Sequence, residues 1–323
     1  MKAIFYEKHG DADVLQYGEQ PKPEVKDGHI LIRVHAASVN QVDWKMRAGS
    51  PLPVPVIGSP AIPGRDVAGE VVEIGKNVTP FKVGDKVFGM LSSTIGGAYA
   101  EFAVMPADVA VVMPANLNYK QAAAVPLTAL TALQALRDKG ELEPGERVLI
   151  NGASSAVGIF AVQIAKALGA GEVIGTCSSD HIKLVKDLGA DQVIDYKKED
   201  FTKHKESYDL ILDAVAKRTF AESKDSLTEN GRYVTTVPNP KDIMGYVTSL
   251  FTDRKPKTMM VKDQGEDLAL IKDWIETGSV KPIIDKVFSL KDAADAQRYS
   301  EKESASGKII IEVIPDEEGV TKP

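Results

Sequence analysis

Residues that bind metals or close disulfides are scarce in this chain. Cys177 is its one cysteine among 323 residues, and only five histidines are scattered along it. One thiol cannot build a cysteine-based zinc cluster, structural or catalytic, and cannot close an internal disulfide. The reading is therefore metal-free, with zinc absent, and a reducing cytoplasm is the expected setting. No stretch of about 18 apolar residues exists, which excludes a membrane-spanning helix. The opening Met1-Lys2-Ala3-Ile4-Phe5-Tyr6 reads as a strand, without the apolar centre or cleavage site of a secretory leader. There is no long basic run and the formal net charge is −7, so nucleic acid and anionic membrane are not expected as main partners.

The 43% hydrophobic content is enough to bury a core in each of two domains. Residues 1–120 carry short β signals punctuated by Gly and Pro: Ile30–Val34, Val67–Ile74 and Asp85–Gly89 read as strands, and the prolines around Pro51-Leu52-Pro53-Val54-Pro55 mark an irregular loop. Over 121–265 the text alternates strand and helix. Gln121 to Asp138 reads as helical, broken only by Pro126. The strands Arg147–Ile150, Glu172–Thr176, Gln192–Tyr196, Tyr208–Asp213 and Gly231–Val237 are interleaved with helices, which predicts a parallel sheet covered on both faces. Residues 266–323 return to β-like text ending Lys308–Val313, a strand expected to rejoin the first domain. Asp316 to Pro323 reads as a solvated tail.

The strand Arg147–Ile150 runs into Asn151-Gly152-Ala153-Ser154-Ser155-Ala156-Val157-Gly158 and then the apolar helix Ile159–Leu168. This is the strand, turn and helix order that opens a dinucleotide fold, in which backbone amides at a helix N-terminus meet a pyrophosphate. Gly152 and Gly158 occupy the outer glycine positions, and Ser155 with Ala156 replaces the middle one. Taken alone, the same text also describes a small-residue turn in an α/β protein that binds no nucleotide. At the tip of the next strand, where an acid commonly holds the ribose 2′-hydroxyl, the chain reads Cys177-Ser178-Ser179. Hydroxyls there, with His181 and with Tyr196 at the end of the third strand, suit a 2′-phosphate. Asp180 argues against it, and for either serine ordinary helix capping is the alternative.

Further segments recur in order along the chain: Ser38-Val39-Asn40-Gln41-Val42-Asp43-Trp44-Lys45, Ile62 to Val72 around Pro63-Gly64-Arg65-Asp66, Gly96 to Phe102, Pro126 to Ala132, Leu188 to Tyr196, and Ser306-Gly307-Lys308. Together they resemble the zinc-independent branch of the medium-chain dehydrogenase/reductase superfamily, the quinone oxidoreductase and enone (alkenal) reductase group. Zinc-dependent relatives place a Cys shortly after the Asn40 position and a His in a Gly-His-Glu motif; here those regions read Val42-Asp43 and Gly64-Arg65-Asp66.

The resemblance implies a GroES-like β-rich catalytic domain beside a Rossmann doubly wound parallel sheet, with a cofactor cleft between them. It implies an NADPH-dependent, zinc-independent transfer of hydride to a quinone or to the activated C=C of an α,β-unsaturated carbonyl. Such transfer leaves negative charge on the carbonyl oxygen, which a nearby cation stabilises. Lys45 matches the lysine that enone reductases of the group place beside the nicotinamide and substrate. Asn40 and Thr128 match positions near the nicotinamide, Ala156 and Val157 the pyrophosphate amides, and Ser178, Ser179, His181 and Tyr196 the adenosine contacts. Thr236, Leu250 and Phe251 match the lining of the nicotinamide ring, and Lys308 a residue closing over the cofactor. Where many relatives have lysine this chain has His181, which lowers the expected selectivity for NADPH. Trp44, Phe88, Tyr99, Tyr246 and Phe251 suggest an aromatic wall for planar substrates. The resemblance also implies a homodimer. The alternatives are a crystallin-like, non-catalytic NADPH-binding protein and an enoyl-thioester reductase on the same scaffold.

Overall fold

The computed structural model describes residues 1–49, 60–91, 96–236, 254–303 and 305–315. The proline cluster around Pro51–Pro55, Tyr246, Leu250, Phe251 and the terminal residues 316–323 lie outside the described residues. Contacts divide the chain into two compact units, Met1–Leu127 with Asp263–Glu276 and Pro282–Pro323, and Thr128–Lys262 with Thr277–Lys281.

The first unit opens with the antiparallel pair β1 (Lys2–Phe5) and β2 (Gln16–Glu19). The long strand β3 (His29–Val39) follows and leads directly into helix α1 (Gln41–Arg47). Then come β4 (Asp66–Ile74), β5 (Lys86–Met90), β6 (Phe102–Pro106), β7 (Val111–Val112) and the short helix α2 (Tyr119–Ala123). Helix α3 (Pro126–Gln134) carries the chain into the second unit. The helical stretch is thus broken at Pro126 as read, and Pro126 opens the second helix, because the first helical position has no use for the amide hydrogen that proline lacks. A π-helical turn, Ala135–Lys139, ends the stretch.

The second unit contains β8 (Arg147–Asn151), α4 (Gly158–Ala167), β9 (Glu172–Cys177), α5 (Ile182–Asp187), β10 (Gln192–Asp195), β11 (Tyr208–Asp213), α6 (Phe220–Ser223), β12 (Leu227–Thr235) and β13 (Lys255–Thr258). All pair in parallel in the order β10-β9-β8-β11-β12-β13. This is the 3-2-1-4-5-6 order of a Rossmann sheet, whose direction of travel reverses between β8 and β11. Val148, Leu149 and Ile150 of β8 and Leu210, Ile211 and Leu212 of β11 are entirely buried. Continuous apolar strands are what a sheet covered on both faces requires, and each such side chain contributes roughly 1.5–3 kcal/mol by leaving water.

The chain then returns to the first unit through α7 (Gly265–Glu276), β14 (Ile284–Ser289), α8 (Ala293–Lys302) and β15 (Lys308–Glu312). Strand β15 pairs antiparallel with β3, so the C-terminal strand completes the sheet begun near the N-terminus, ordered β14-β15-β3-β4-β5-β7 with β6 also on β3. Its core gathers Ile30, Ile32 and Val34 of β3, Val67 and Val71 of β4, Tyr99, and Ile309 and Ile311 of β15. Phe88 is likewise fully buried. Phe88 and Tyr99 are thus core residues, not an open wall for a substrate.

Candidate functional site

In the first unit, chemistry concentrates where β3 passes into α1. Asn40 sits at the cap in extended backbone, and its amide donates to Asp43 Oδ2 at 2.8 Å, the reciprocal half of a capping box. Arg47 at the helix end is buried and pairs with Glu301 of α8 at 2.5 Å, and Gly49 takes a left-handed φ of +79° where the chain leaves the helix. Between these anchors stands Lys45. Its ammonium donates to Gln41 Oε1 at 3.0 Å, one turn back, and lies 5.5 Å from the Trp44 ring. Burial holds its pKa below the usual lysine value.

Asn40 and Lys308, both assigned to the cofactor on resemblance, are joined to each other and to Asp66. The fully buried Lys308 ammonium donates to Asn40 Oδ1 at 2.6 Å and to Asp66 Oδ2 at 3.2 Å. Asn40 Nδ2 donates to the same Asp66 oxygen at 2.9 Å, Ser38 Oγ does so at 2.6 Å, and the Leu127 amide meets Asp66 Oδ1 at 2.8 Å. Burial lowers the Lys308 pKa, and the Asp66 carboxylate opposes that shift. Asp43, also buried, accepts from Tyr99 OH at 3.3 Å. Burial, reinforced by the Asp66 charge, pushes Asp43 up to about 7. This cluster fixes the start of the helix that carries Lys45. Asp43 and Asp66 were not singled out from sequence, although the Asn-x-x-Asp spacing of a capping box was there to read.

In the second unit the turn read as dinucleotide-binding joins β8 to α4 through two crowded glycines. Gly152 has φ +83°, and a Cβ there would stand 2.5 Å from Val215 Cγ1. At Gly158 a Cβ would run into the Gly152 carbonyl, so the turn closes too tightly for any side chain. The Gly158 amide meets Ser155 Oγ at 3.1 Å, and Val157, at the cap position of α4, offers no side-chain cap of its own. Ala156 and Val157 thus stand at the positive end of a ten-residue helix. A close backbone approach at a helix N-terminus fits an anionic pyrophosphate.

Asp213, fully buried at the end of β11, underlies this turn. It accepts from Asn151 Nδ2 and the Val215 amide at 3.1 Å, and from the Arg218 amide and Tyr233 OH at 3.0 Å. Asn151 Oδ1 in turn accepts from Thr176 Oγ1 at 2.7 Å, and Thr176 Oγ1 accepts from the Gly152 amide at 3.0 Å. The ends of four neighbouring strands are tied together beneath the point where the sheet order reverses. An acid ending an apolar strand, Leu210-Ile211-Leu212-Asp213, was the available signal. Thr236 lies nearby, its amide on the Asp213 carbonyl at 3.2 Å, and Thr128 is buried on α3.

The tip of β9, expected to bind adenosine, carries no acid of its own, as read, but the neighbouring strand β10 brings one beside it. Asp195, last residue of β10, is in register with Cys177, last residue of β9, and Ser179 Oγ donates to its carboxylate at 2.5 Å. Ser178 is buried, His181 partly so, and Tyr196 is exposed. Among the described residues no three His, Cys, Asp or Glu side chains gather as a metal site, and no helix is long and apolar enough to cross a membrane.

Two family models match the chain: residues 26–115 match the "Alcohol dehydrogenase GroES-like domain" and residues 188–311 the "Zinc-binding dehydrogenase". Quinone-oxidoreductase QR1, chloroplastic, from Triphysaria versicolor is 36% identical over 97% of this chain and 98% of its own length. The NADPH-dependent alkenal/one oxidoreductase, chloroplastic, from Arabidopsis thaliana is 33% identical over 98% of this chain and 80% of its own. Among solved structures, the quinone oxidoreductase from Coxiella burnetii superposes with a TM-score of 0.88 at 31% identity, over 97% of this chain and 99% of that one.

Proposed function

The chain belongs to the medium-chain dehydrogenase/reductase superfamily, in its quinone and alkenal/one oxidoreductase group, and on that premise we propose that it is a zinc-independent reductase that delivers hydride from NADPH to a quinone or to the activated C=C of an enone or enal. Two observations, each within its own unit, carry this reading: a glycine-closed helix N-terminus at Gly158, and Lys45 on an anchored helix. When bound, the reduced nicotinamide supplies the hydride. The amides of Ala156 and Val157 hold the pyrophosphate, and Ser178, Ser179, His181 and Tyr196 surround the adenosine end. Thr128, Thr236, Leu250 and Phe251 belong to the nicotinamide end.

Lys45 stabilises the negative charge that develops on the acceptor oxygen as hydride arrives at carbon. Asn40 and Lys308 support that step from behind: with Asp66 they lock the cap of α1, so the ammonium is presented from a rigid base. The preference for NADPH over NADH is moderate, because a histidine replaces lysine at 181. A cytoplasmic setting, resting on the single cysteine, and a homodimer complete the proposal.

The test is a spectrophotometric screen of NADPH oxidation against quinones, enones and enals, with and without a chelator, on the unmodified protein and on Lys45→Met. Turnover that survives chelation and a loss of roughly 10- to 1,000-fold in kcat/KM for Lys45→Met are expected, with the dinucleotide Kd unchanged. Equal kinetics for the two proteins would leave Lys45 a surface lysine. NADPH binding without turnover on any acceptor would favour the crystallin-like reading.

A further inference from the structure

The end of β10 presents the adenosine site with a carboxylate that a reading of β9 alone misses. Asp195 is buried, yet its charge is well supported: Oδ2 accepts from Ser179 Oγ at 2.5 Å and lies 3.3 Å from Lys198 Nζ, and Oδ1 accepts from the Lys197 amide at 3.0 Å. The Ser179 hydroxyl, then the Lys197 amide, then the Lys198 ammonium hold this carboxyl below the usual aspartate range, so it is ionised at neutral pH. A serine hydroxyl has one hydrogen to give. In this structure Ser179 gives it to Asp195, and the lone pairs left on Oγ can only accept.

The consequence bears on what the tip can hold. A ribose 2′-hydroxyl is a donor and finds acceptors in Ser179 Oγ and the Asp195 carboxylate. A 2′-phosphate is an acceptor and an anion; it finds the Ser179 proton taken and a negative charge behind it. The cations that would favour the phosphate are Lys197, Lys198 and His181, and Lys198 is already drawn to Asp195. Asp180 adds a second acid to the same turn.

We infer that Asp195 is a specificity-determining residue, one that restrains recognition of the 2′-phosphate by capturing the Ser179 proton and by its own charge. This rests on the reading of the β9 tip as the adenosine end of a dinucleotide site. It assigns the modest preference between cofactors to a residue of the neighbouring strand, in addition to the histidine at 181.

The experiment is equilibrium binding of adenosine 2′,5′-bisphosphate and of 5′-AMP to the unmodified protein, Asp195→Asn and Ser179→Ala, by calorimetry at fixed ionic strength. NADPH and NADH are titrated in parallel by fluorescence. In Asp195→Asn the charge is gone, and with the amide oxygen kept on the Lys197 N–H the NH2 group faces Ser179, which frees the hydroxyl proton. The affinity ratio of bisphosphate to monophosphate should then rise by roughly tenfold or more. Ser179→Ala gives an answer that does not depend on how well the Asp195 variant folds. It should leave the bisphosphate affinity unchanged and weaken 5′-AMP a few-fold, since only the acceptor is lost. An unchanged or lowered ratio in a folded Asp195→Asn, or a selective loss of bisphosphate binding in Ser179→Ala, would overturn the assignment while leaving the dinucleotide reading intact. Failure of the unmodified protein to bind any of the four nucleotides would overturn the reading and the inference together.

Discussion

Asp66 in the first unit and Asp213 in the second are both fully buried and both accept four hydrogen bonds, but their partners differ in kind. Asp66 takes two side-chain dipoles, one backbone amide and the Lys308 ammonium. Asp213 takes an asparagine, a tyrosine hydroxyl and two backbone amides, with no full positive charge among them. A cation neutralises a buried carboxylate in one stroke, and its loss leaves a net charge in a low-dielectric interior. Several neutral dipoles spread the same task over more of the chain, and each also fixes a piece of backbone. The first arrangement concentrates its stability in one residue. The second holds loop shape, here the segment from Val215 to Arg218 and, through Asn151 and Thr176, the Gly152 turn.

The largest effect should come from breaking the charged pair. Lys308→Met should cost about 3–5 kcal/mol in urea unfolding, because Asp66 is left buried and uncompensated. The double variant Asp66→Asn, Lys308→Met should recover part of that loss; simple addition of the two single effects would show that the pair is not coupled. Asp213→Asn should cost less, about 1–3 kcal/mol, since the amide oxygen keeps some of the donors while its NH2 faces others. Faster hydrogen exchange at the Gly152, Val215 and Arg218 amides would accompany it. Unchanged exchange there would separate the carboxylate from the turn.

A third prediction concerns pH. Asp43 sits at about 7 in the folded protein against an ordinary 3.8, so between those values the native state holds a proton that the unfolded chain has released. Its contribution to stability is full below pH 4 and is lost as pH rises through 7. The unmodified protein should lose on the order of 2 kcal/mol between pH 5 and pH 8 relative to Asp43→Asn, whose side chain does not titrate. Parallel stability curves for the two would refute the shift. The smallest effect belongs to the solvent-exposed pair of Lys183 with Asp187 on α5, where Lys183→Ala should change stability by at most about 0.5 kcal/mol.

Much of the second unit was legible because its strands are apolar runs separated by helices, a local pattern, and because Gly158 is required by backbone only a few residues away, whereas the crowding at Gly152 comes from the distant Val215. The break at Pro126 was legible because proline cannot continue a helix; that it also opens the next one follows from the same missing amide hydrogen. Phe88 and Tyr99 looked available as a wall because an aromatic carries no mark of which way it faces. The deeper losses were long-range. Lys308 opens an apolar strand, and nothing local reveals that its ammonium reaches Asn40 and Asp66, 268 and 242 residues away in sequence. Asp195 escaped notice because the tip of β9 was read along the chain, whereas the acid arrives from the adjacent strand through parallel register.

That register has a chemical consequence for Cys177. Burial, with the Asp195 carboxylate adding to it, pushes the thiol up to about 11, and the side chain is almost wholly enclosed. Quinones and enones alkylate proteins by adding to thiolates, the reactive form of cysteine. A reductase for such acceptors works in the presence of compounds that would attack exposed sulfur. This chain has one sulfhydryl in 323 residues, protonated and out of reach, and so it offers its proposed electrophilic substrates no thiolate to modify.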